Sequence, residues 1–183
     1  MDAMPRSVHA FEHPDRFVAG TVGQPGDRTF FLQARDGARV VSVALEKVQV
    51  QLLAEKLTEL LDEARRRGGR VPSAAAIGHD DVGPLDTPVE EEFRVGTLAL
   101  AWDGDQGQVV VEALAVVRDG EPVASALDDD ALDGPDVLRV IIAPAHARAF
   151  VRRAERVIAA GRPPCWLCGL PLDPSGHVCP RLS

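Results

Sequence analysis

Residues 39–67, RVVSVALEKVQVQLLAEKLTELLDEARRR, carry two hydrophobic periodicities in succession, and the change between them decides the fold. Arg39 to Leu45 is a β-branched, largely apolar run of strand length. From Glu46 to Arg67 the period becomes about 3.6, with Val48, Leu52, Leu53, Leu57, Leu60, Leu61 and Ala64 on one stripe. Glu46 near the start and Arg65, Arg66 and Arg67 in the last turn both complement a helix dipole, and Gly68-Gly69 ends the helix. A strand therefore runs straight into a long amphipathic helix.

Upstream of this stretch, Phe17 to Val22 and Thr29 to Ala34 read as two further strands. Their separators are turn chemistry: Gln24-Pro25-Gly26-Asp27 places Pro beside Gly, and Asp36-Gly37 offers the positive φ of a two-residue hairpin turn. Residues 1–16 are polar with two prolines, an irregular lead-in holding one short strand near Ser7 to Phe11. Downstream, residues 70–92 form a long connection with Pro72, Pro84 and Pro88 and six acidic side chains between Asp80 and Glu92, an insertion of the functional or mobile kind.

Phe93 to Trp102 and Gln108 to Val117 then form a hairpin about Asp103 to Gly107, followed by a turn at Asp119 to Pro122 and a second acidic loop, Asp128 to Asp136. Val137 to Ala143 is a buried-type strand. Pro144 opens a helix that buries Ala147, Phe150, Val151, Ala154, Val157 and Ile158 and stops at Gly161, with Pro163-Pro164 behind it. Residues 17–67 and 93–160 thus both run three strands and a helix. The expected class is α+β: a mostly antiparallel sheet of about six strands, two main helices on one face, and a βββα pseudo-repeat.

A chain of 183 residues, 45% apolar, suits one core. The expected division is an α+β domain over 1–161 and a zinc-knuckle tail over 162–183 packed on it. A net charge of -8 disfavours general binding to nucleic acid or anionic membranes. No run of about 18 apolar residues exists and the N-terminus lacks an apolar signal region, so a cytoplasmic location without a membrane span is expected. Lysine occurs only at Lys47 and Lys56, with arginine elsewhere, a bias typical of high-GC genomes.

All three cysteines lie in CWLCGLPLDPSGHVCPR, Cys165 to Arg181, spaced C-x2-C-x8-H-x-C through Cys165, Cys168, His177 and Cys179. Three thiolates and an imidazole make the four-donor set of a tetrahedral Zn²⁺. Gly169 and Gly176 supply the backbone freedom for the two turns, and Arg162 and Arg181 are candidate counter-charges. Four protein ligands leave no open position, so the Zn²⁺ is read as structural. A redox dithiol at Cys165 and Cys168 is the rival reading, and it leaves Cys179 and His177 without a role.

Outside the knuckle, Gly78-His79-Asp80-Asp81 can supply a metal ligand or a general base, or simply be a solvated loop. Arg148, Arg152, Arg153 and Arg156 make the second helix basic: a docking face for a partner, or a face neutralised by the chain's own acidic loops. His9 and His13 read as surface histidines of the lead-in. Gly20 to Gly26 lacks the Lys-Ser/Thr ending of a phosphate loop and is read as a hairpin turn. There is no G-x-S-x-G elbow and no tyrosine. A non-enzymatic, protein-binding adaptor is the leading expectation. The alternatives are a hydrolase or phosphotransfer accessory enzyme using His79, Asp80 and Asp81, and RNA binding through the arginine face and the knuckle.

DRFVAGTVGQPGDRTFFLQA at Asp15 to Ala34, LAEKLTELLDEA at Leu53 to Ala64, FRVGTLALAW at Phe93 to Trp102, and AGRPPCWLCGLPLDPSGHVCPR at Ala160 to Arg181 together resemble the domain of unknown function 3090 family. The resemblance implies a cytoplasmic protein of high-GC actinobacteria. It implies also a gene often found beside those of a phosphatidylinositol-kinase-like protein and a histidine-phosphatase-like protein. It brings no established activity and no catalytic residues.

Overall fold

The computed structural model describes residues 5–24, 26–76, 78, 80–117, 134–161, 165–170, 172 and 176–182. The passage from strand to helix falls where the period changes. Strand β4 (Arg39–Leu45) ends one residue before helix α1 (Lys47–Arg66), and Gln49 Oε1 accepts from the Glu46 N–H at 2.7 Å to close the first turn. At the other end Gly68, with φ of 90°, turns the chain so that the Gly69 N–H reaches the Ala64 carbonyl at 2.9 Å. The buried stripe of α1 is Val50, Leu53, Ala54, Leu57, Leu61 and Ala64. It is rotated from the expected one: Val48 and Leu52 are 66% and 50% exposed. The 3.6 period identifies the helix, while the neighbouring elements decide which edge of a wide apolar stripe is covered.

Strand β1 is Val8–Glu12, β2 is Arg16–Gln24 and β3 is Asp27–Asp36, and β2, β3 and β4 form an antiparallel meander. Gly37, at φ of 60°, sits in the two-residue turn between the paired Asp36 and Arg39. Strands β5 (Glu91–Asp103), β6 (Gln108–Ala115) and β7 (Val137–Ile142) form the second meander, and helix α2 (Pro144–Ala159) follows. The β5–β6 turn is held by Asp103 Oδ1, which accepts from the N–H groups of Asp105 and Gln106 at 3.0 and 3.1 Å. The turn expected at Asp119 to Pro122 and most of the second acidic loop lie outside the described residues.

The two meanders join into one seven-stranded sheet of order β1-β7-β6-β5-β4-β3-β2. Each rises, falls and rises again. Because α1 returns the chain to the starting end, β4 and β5 meet as a parallel pair at the seam. The expected three-strands-then-helix repeat is thereby a side-by-side repetition within one sheet. The short lead-in strand supplies the seventh strand, pairing parallel with β7 from Val8 opposite Val137 to Glu12 opposite Ile141.

Strands β1 and β2 occupy opposite edges of the sheet, yet only His13, Pro14 and Asp15 separate them. Such a link spans at most about 14 Å, so the accumulated strand twist must curl the two edges toward each other. Arg39 donates to the Ala10 carbonyl and lies over the Phe11 ring at 3.9 Å, while Asp15 Oδ2 accepts from the Gly37 N–H at 2.8 Å. Both helices fill the concave side. Phe17 of β2 stacks on Phe150 of α2 at 4.7 Å between ring centroids, and one apolar cluster runs from Phe11 through Leu57 and Leu61 to Ala154. Each fully buried side chain of this size contributes about 1.5–3 kcal/mol.

The insertion between α1 and β5 is structural. Its Leu85 lies on the convex side of the first meander with Val18, Phe31 and Ala44, in a second apolar cluster. Gly20 makes the approach feasible: a Cβ there would stand 2.5 Å from Leu85 Cδ2. Gln33 then treats the insertion as a strand, its Nε2 donating to the Asp86 carbonyl at 3.0 Å and its Oε1 accepting from the Asp86 N–H at 2.8 Å.

Candidate metal centre

The knuckle begins just beyond α2. The Gly169 N–H donates to the Cys165 carbonyl at 2.8 Å and the Cys165 N–H to the Leu170 carbonyl at 2.7 Å, which folds the C-x2-C segment into a tight loop. Gly169 holds φ of 76° and Gly176 holds 129°, the positive values that side chains larger than hydrogen resist. The result is convergence of Cys165, Cys168, His177 and Cys179, whose donor atoms all lie within 4.8 Å of one another. Cys168 Sγ is 3.4 Å from His177 Nε2. Around a tetrahedral Zn²⁺ neighbouring donors sit about 3.6–3.8 Å apart, so the arrangement is of the right size.

All three cysteines are free thiols; Cys165 and Cys179 are buried while Cys168 and His177 are partly so. The backbone N–H groups of Cys168 and Leu167 push the Cys165 thiol down to about 6, so it ionises before Cys168. The Cys168 thiol moves up. A hydrogen bond from the Leu170 backbone favours its thiolate, but burial and the Cys165 and Cys179 sulfurs oppose a second negative charge. Thiolates so close together require a cation to coexist, and a bound metal ion supplies one. The four residues can hold a metal ion, as their spacing in the sequence predicts. Arg181 is exposed and Arg162 lies outside the described residues, so the counter-charge reading gains no contact.

The knuckle also carries a feature invisible in its ligand spacing. Trp166, between two of the cysteines, is 88% exposed, and Val178, between His177 and Cys179, is 93% exposed; Leu170 and Leu182 are exposed as well.

The second candidate cluster is a closed network. Arg16, at the start of β2, grips Asp81 through Nε at 2.6 Å and Nη2 at 2.9 Å, and reaches Asp86 through Nη1 at 3.1 Å. Arg153 donates to the Ala19 carbonyl at 2.7 Å, the Asp81 carbonyl at 2.8 Å and the Asp81 carboxylate at 3.2 Å. Asp80 bridges Arg152 at 2.7 Å and Arg156 at 2.9 Å. Arg148 joins Asp62 at 2.7 Å and the Pro72 carbonyl at 3.0 Å. The four arginines of α2 therefore face the chain's own acidic residues, and Arg148 and Arg153 are only 4% and 7% exposed.

Hydrogen bonds from Arg152 and Arg156 hold the Asp80 carboxyl below the usual range, and Arg16 does the same for Asp81. Asp81 in turn raises Arg16, while burial lowers Arg153. A cleft of about 370 Å³ beside this network is lined by Arg16, Phe17, Asp81, His146 and Arg152, and burial lowers His146 there. His79 lies outside the described residues. His9 stands 3.6 Å from Glu92, and His13 shares a 2.9 Å hydrogen bond with Gln108; the two are not brought together. Gly20 to Gln24 pair with β3 in the β2–β3 hairpin. Sequence reasoning missed Arg16 and Gln33, whose only signal is polarity at the start of or inside an apolar strand, and Asp86, which nothing distinguishes from the other acidic residues of the insertion.

A family model described as "Protein of unknown function (DUF3090)" matches residues 9–179. No curated protein and no solved structure matches the chain.

Proposed function

The chain belongs to the DUF3090 family of proteins of unknown function, and from that premise we propose that it is a non-enzymatic binding protein whose knuckle carries a structural Zn²⁺. Cys165, Cys168, His177 and Cys179 would hold the ion, and a full set of four protein donors leaves no position for substrate or activated water. The metal's contribution is to fix the fold of a short segment too small to form a core of its own.

The observation that carries the reading is the exposure of Trp166 and Val178, each next to a donor residue. Large apolar side chains held outward on a rigid turn mark an interaction surface, and tryptophan is the residue type most often found at the energetic centre of one. The partner is another protein in the cytoplasm. The family resemblance offers the phosphatidylinositol-kinase-like and histidine-phosphatase-like neighbours as the first to try. Arg152 and Arg156, paired with Asp80 near the surface, would serve as a polar rim, while Arg148 and Arg153 are occupied in holding the fold. The hydrolase reading has less support, because carboxylates stabilised as anions by arginine are poor proton acceptors at neutral pH.

Metal analysis of the purified chain should give one zinc per chain. Co-expression with each neighbour should give a complex that Trp166→Ala abolishes while the zinc content stays at one. Reduced cysteines with far less than one zinc per chain would sink the metal assignment, and a chain that binds neither neighbour but turns over a metabolite would sink the adaptor. Quenching of Trp166 fluorescence by single-stranded RNA would move the reading to nucleic acid.

A further inference from the structure

The first turn of α1, the last turn of α2 and the β2–β3 hairpin enclose a cleft of about 470 Å³, lined by Arg28, Phe30, Lys47 and Ile158 together with Gly26 and Gly161. Its volume is that of a small-molecule site. Its charge is unlike that of the arginine network of α2. Arg16, Arg148, Arg152, Arg153 and Arg156 each meet a carboxylate. Among the described residues no carboxylate pairs with Arg28 or Lys47: Arg28 reaches only the Ala160 carbonyl at 3.5 Å and the face of Phe30 at 5.0 Å. Glu46, next to Lys47, is turned to Arg94 at 2.9 Å.

The two cations converge. A Cβ on Gly161 would stand 3.4 Å from Arg28 Nη2 and 3.7 Å from Lys47 Nζ, so the space beside this glycine is flanked by both. Two positive charges facing one small space repel unless an anion lies between them. The carbonyl end of α2 offsets part of this, through the Ala160 carbonyl for Arg28 and the Ile158 carbonyl 3.7 Å from the same Cβ position. Lys47 is the first residue of α1, so the positive end of that helix's dipole adds to the same field.

We propose that this cleft binds an organic phosphate, with the phosphoryl group beside Gly161 and an apolar portion against Ile158 and Phe30. A phosphoryl group carries close to two negative charges and three oxygens, enough to satisfy the fork of Arg28 and the point charge of Lys47 together. A carboxylate would leave one positive charge unbalanced. Gly161 provides the room that any side chain would occupy.

The zinc-loaded full chain is titrated with AMP and, separately, with inorganic phosphate, followed by amide shifts in NMR spectra. AMP is expected to shift Arg28, Lys47 and Gly161, to bind more tightly than inorganic phosphate, and to weaken as salt is raised. Arg28→Gln and Lys47→Gln should each lower the affinity about tenfold or more, the loss of a charge-assisted hydrogen bond. Gly161→Ala, which fills the space with a methyl group in contact with both cations while leaving their charges in place, should also weaken AMP, and an unchanged melting temperature verifies that each variant folds. Failure of AMP to bind at millimolar concentration, equal binding of AMP and inorganic phosphate, or unchanged binding in Arg28→Gln overturns the proposal.

Discussion

The strap of residues 80–86 and the knuckle of residues 165–182 both crowd ionisable groups into a small volume, and they settle the charge in opposite ways. In the strap, Asp81 lies between Arg16 and Arg153, and Asp86 between Arg16 and Arg35, so each buried guanidinium finds a carboxylate or carbonyl of the same chain. In the knuckle, three sulfurs and an imidazole lie within 4.8 Å, and among the described residues no salt bridge brings a cationic side chain to them. A cluster that balances its own charge is architecture and has little left for a substrate. A cluster that cannot balance its charge recruits an ion from outside. The same distinction separates the paired arginines of α2 from Arg28 and Lys47, which meet no carboxylate among the described residues.

The sharpest way to break the comparison is to strip the proposed metal. Structural zinc in isolated fingers contributes an apparent free energy of about 10–16 kcal/mol, so chelation should disorder the knuckle outright. The amide signals of residues 165–182 should collapse while those around Phe17 and Phe150 stay in place, since that stacked pair belongs to the body's own core. Loss of both together would mean that the body depends on the knuckle.

Next in size is removal of the strap's central carboxylate. Asp81→Ala leaves Arg16 and Arg153 without their shared anion; because Asp81 is itself partly exposed, the expected loss is about 2–3 kcal/mol, below the range for fully buried pairs. Urea denaturation measures it, and an unchanged midpoint would show the strap to be decoration. The zinc content should not move. Leu85→Ala tests the apolar half of the same strap: deleting a buried leucine over Gly20, Phe31 and Ala44 should cost about 2 kcal/mol, the low end for such cavities because the strap can settle inward.

The smallest expected effect is a pH dependence. His146 titrates below its ordinary value because burial disfavours the imidazolium. Its contribution is complete above about pH 6.5, the unfolded value, and is lost as pH falls toward the lower folded value, since the unfolded chain binds a proton that the folded chain refuses. The slope is at most about 1.4 kcal/mol per pH unit, and His146→Gln should flatten the stability profile below pH 6.5. The strap should hold throughout that range. Asp80 and Asp81 are depressed carboxyls, present as anions above about pH 4, and their ion pairs are lost only on further acidification.

Much of this was legible beforehand because it is local. The turn at Gly37, the stop at Gly68 and Gly69, proline at the start of α2, and the spacing of Cys165, Cys168, His177 and Cys179 each reflect a backbone or coordination requirement met within a few residues. The apolar stripe of α1 was legible as a helix but not as a burial pattern. Which edge of the stripe faces inward, Val50 or Val48, depends on where the sheet and α2 lie. Exposure of Trp166 was likewise illegible, since a tryptophan in a sequence reads first as core.

The sequence by itself determined the elements, their order, the repeated pattern of three strands and a helix, and the four residues that could hold a metal ion. Periodicity, turn chemistry and ligand spacing act over distances that the chain fixes covalently. Only the tertiary structure decided that the lead-in strand pairs with β7, that the sheet curls until β1 and β2 approach, and that the acidic insertion crosses β2 to Gly20. Arg16 and Asp81 are 65 residues apart, and Arg153 and Asp81 are 72 apart. Nothing local selects Asp81 from the other acidic residues of the chain. The choice follows from burial: an arginine enclosed by packing must take whichever carboxylate the fold carries to it, and the fold carries Asp81.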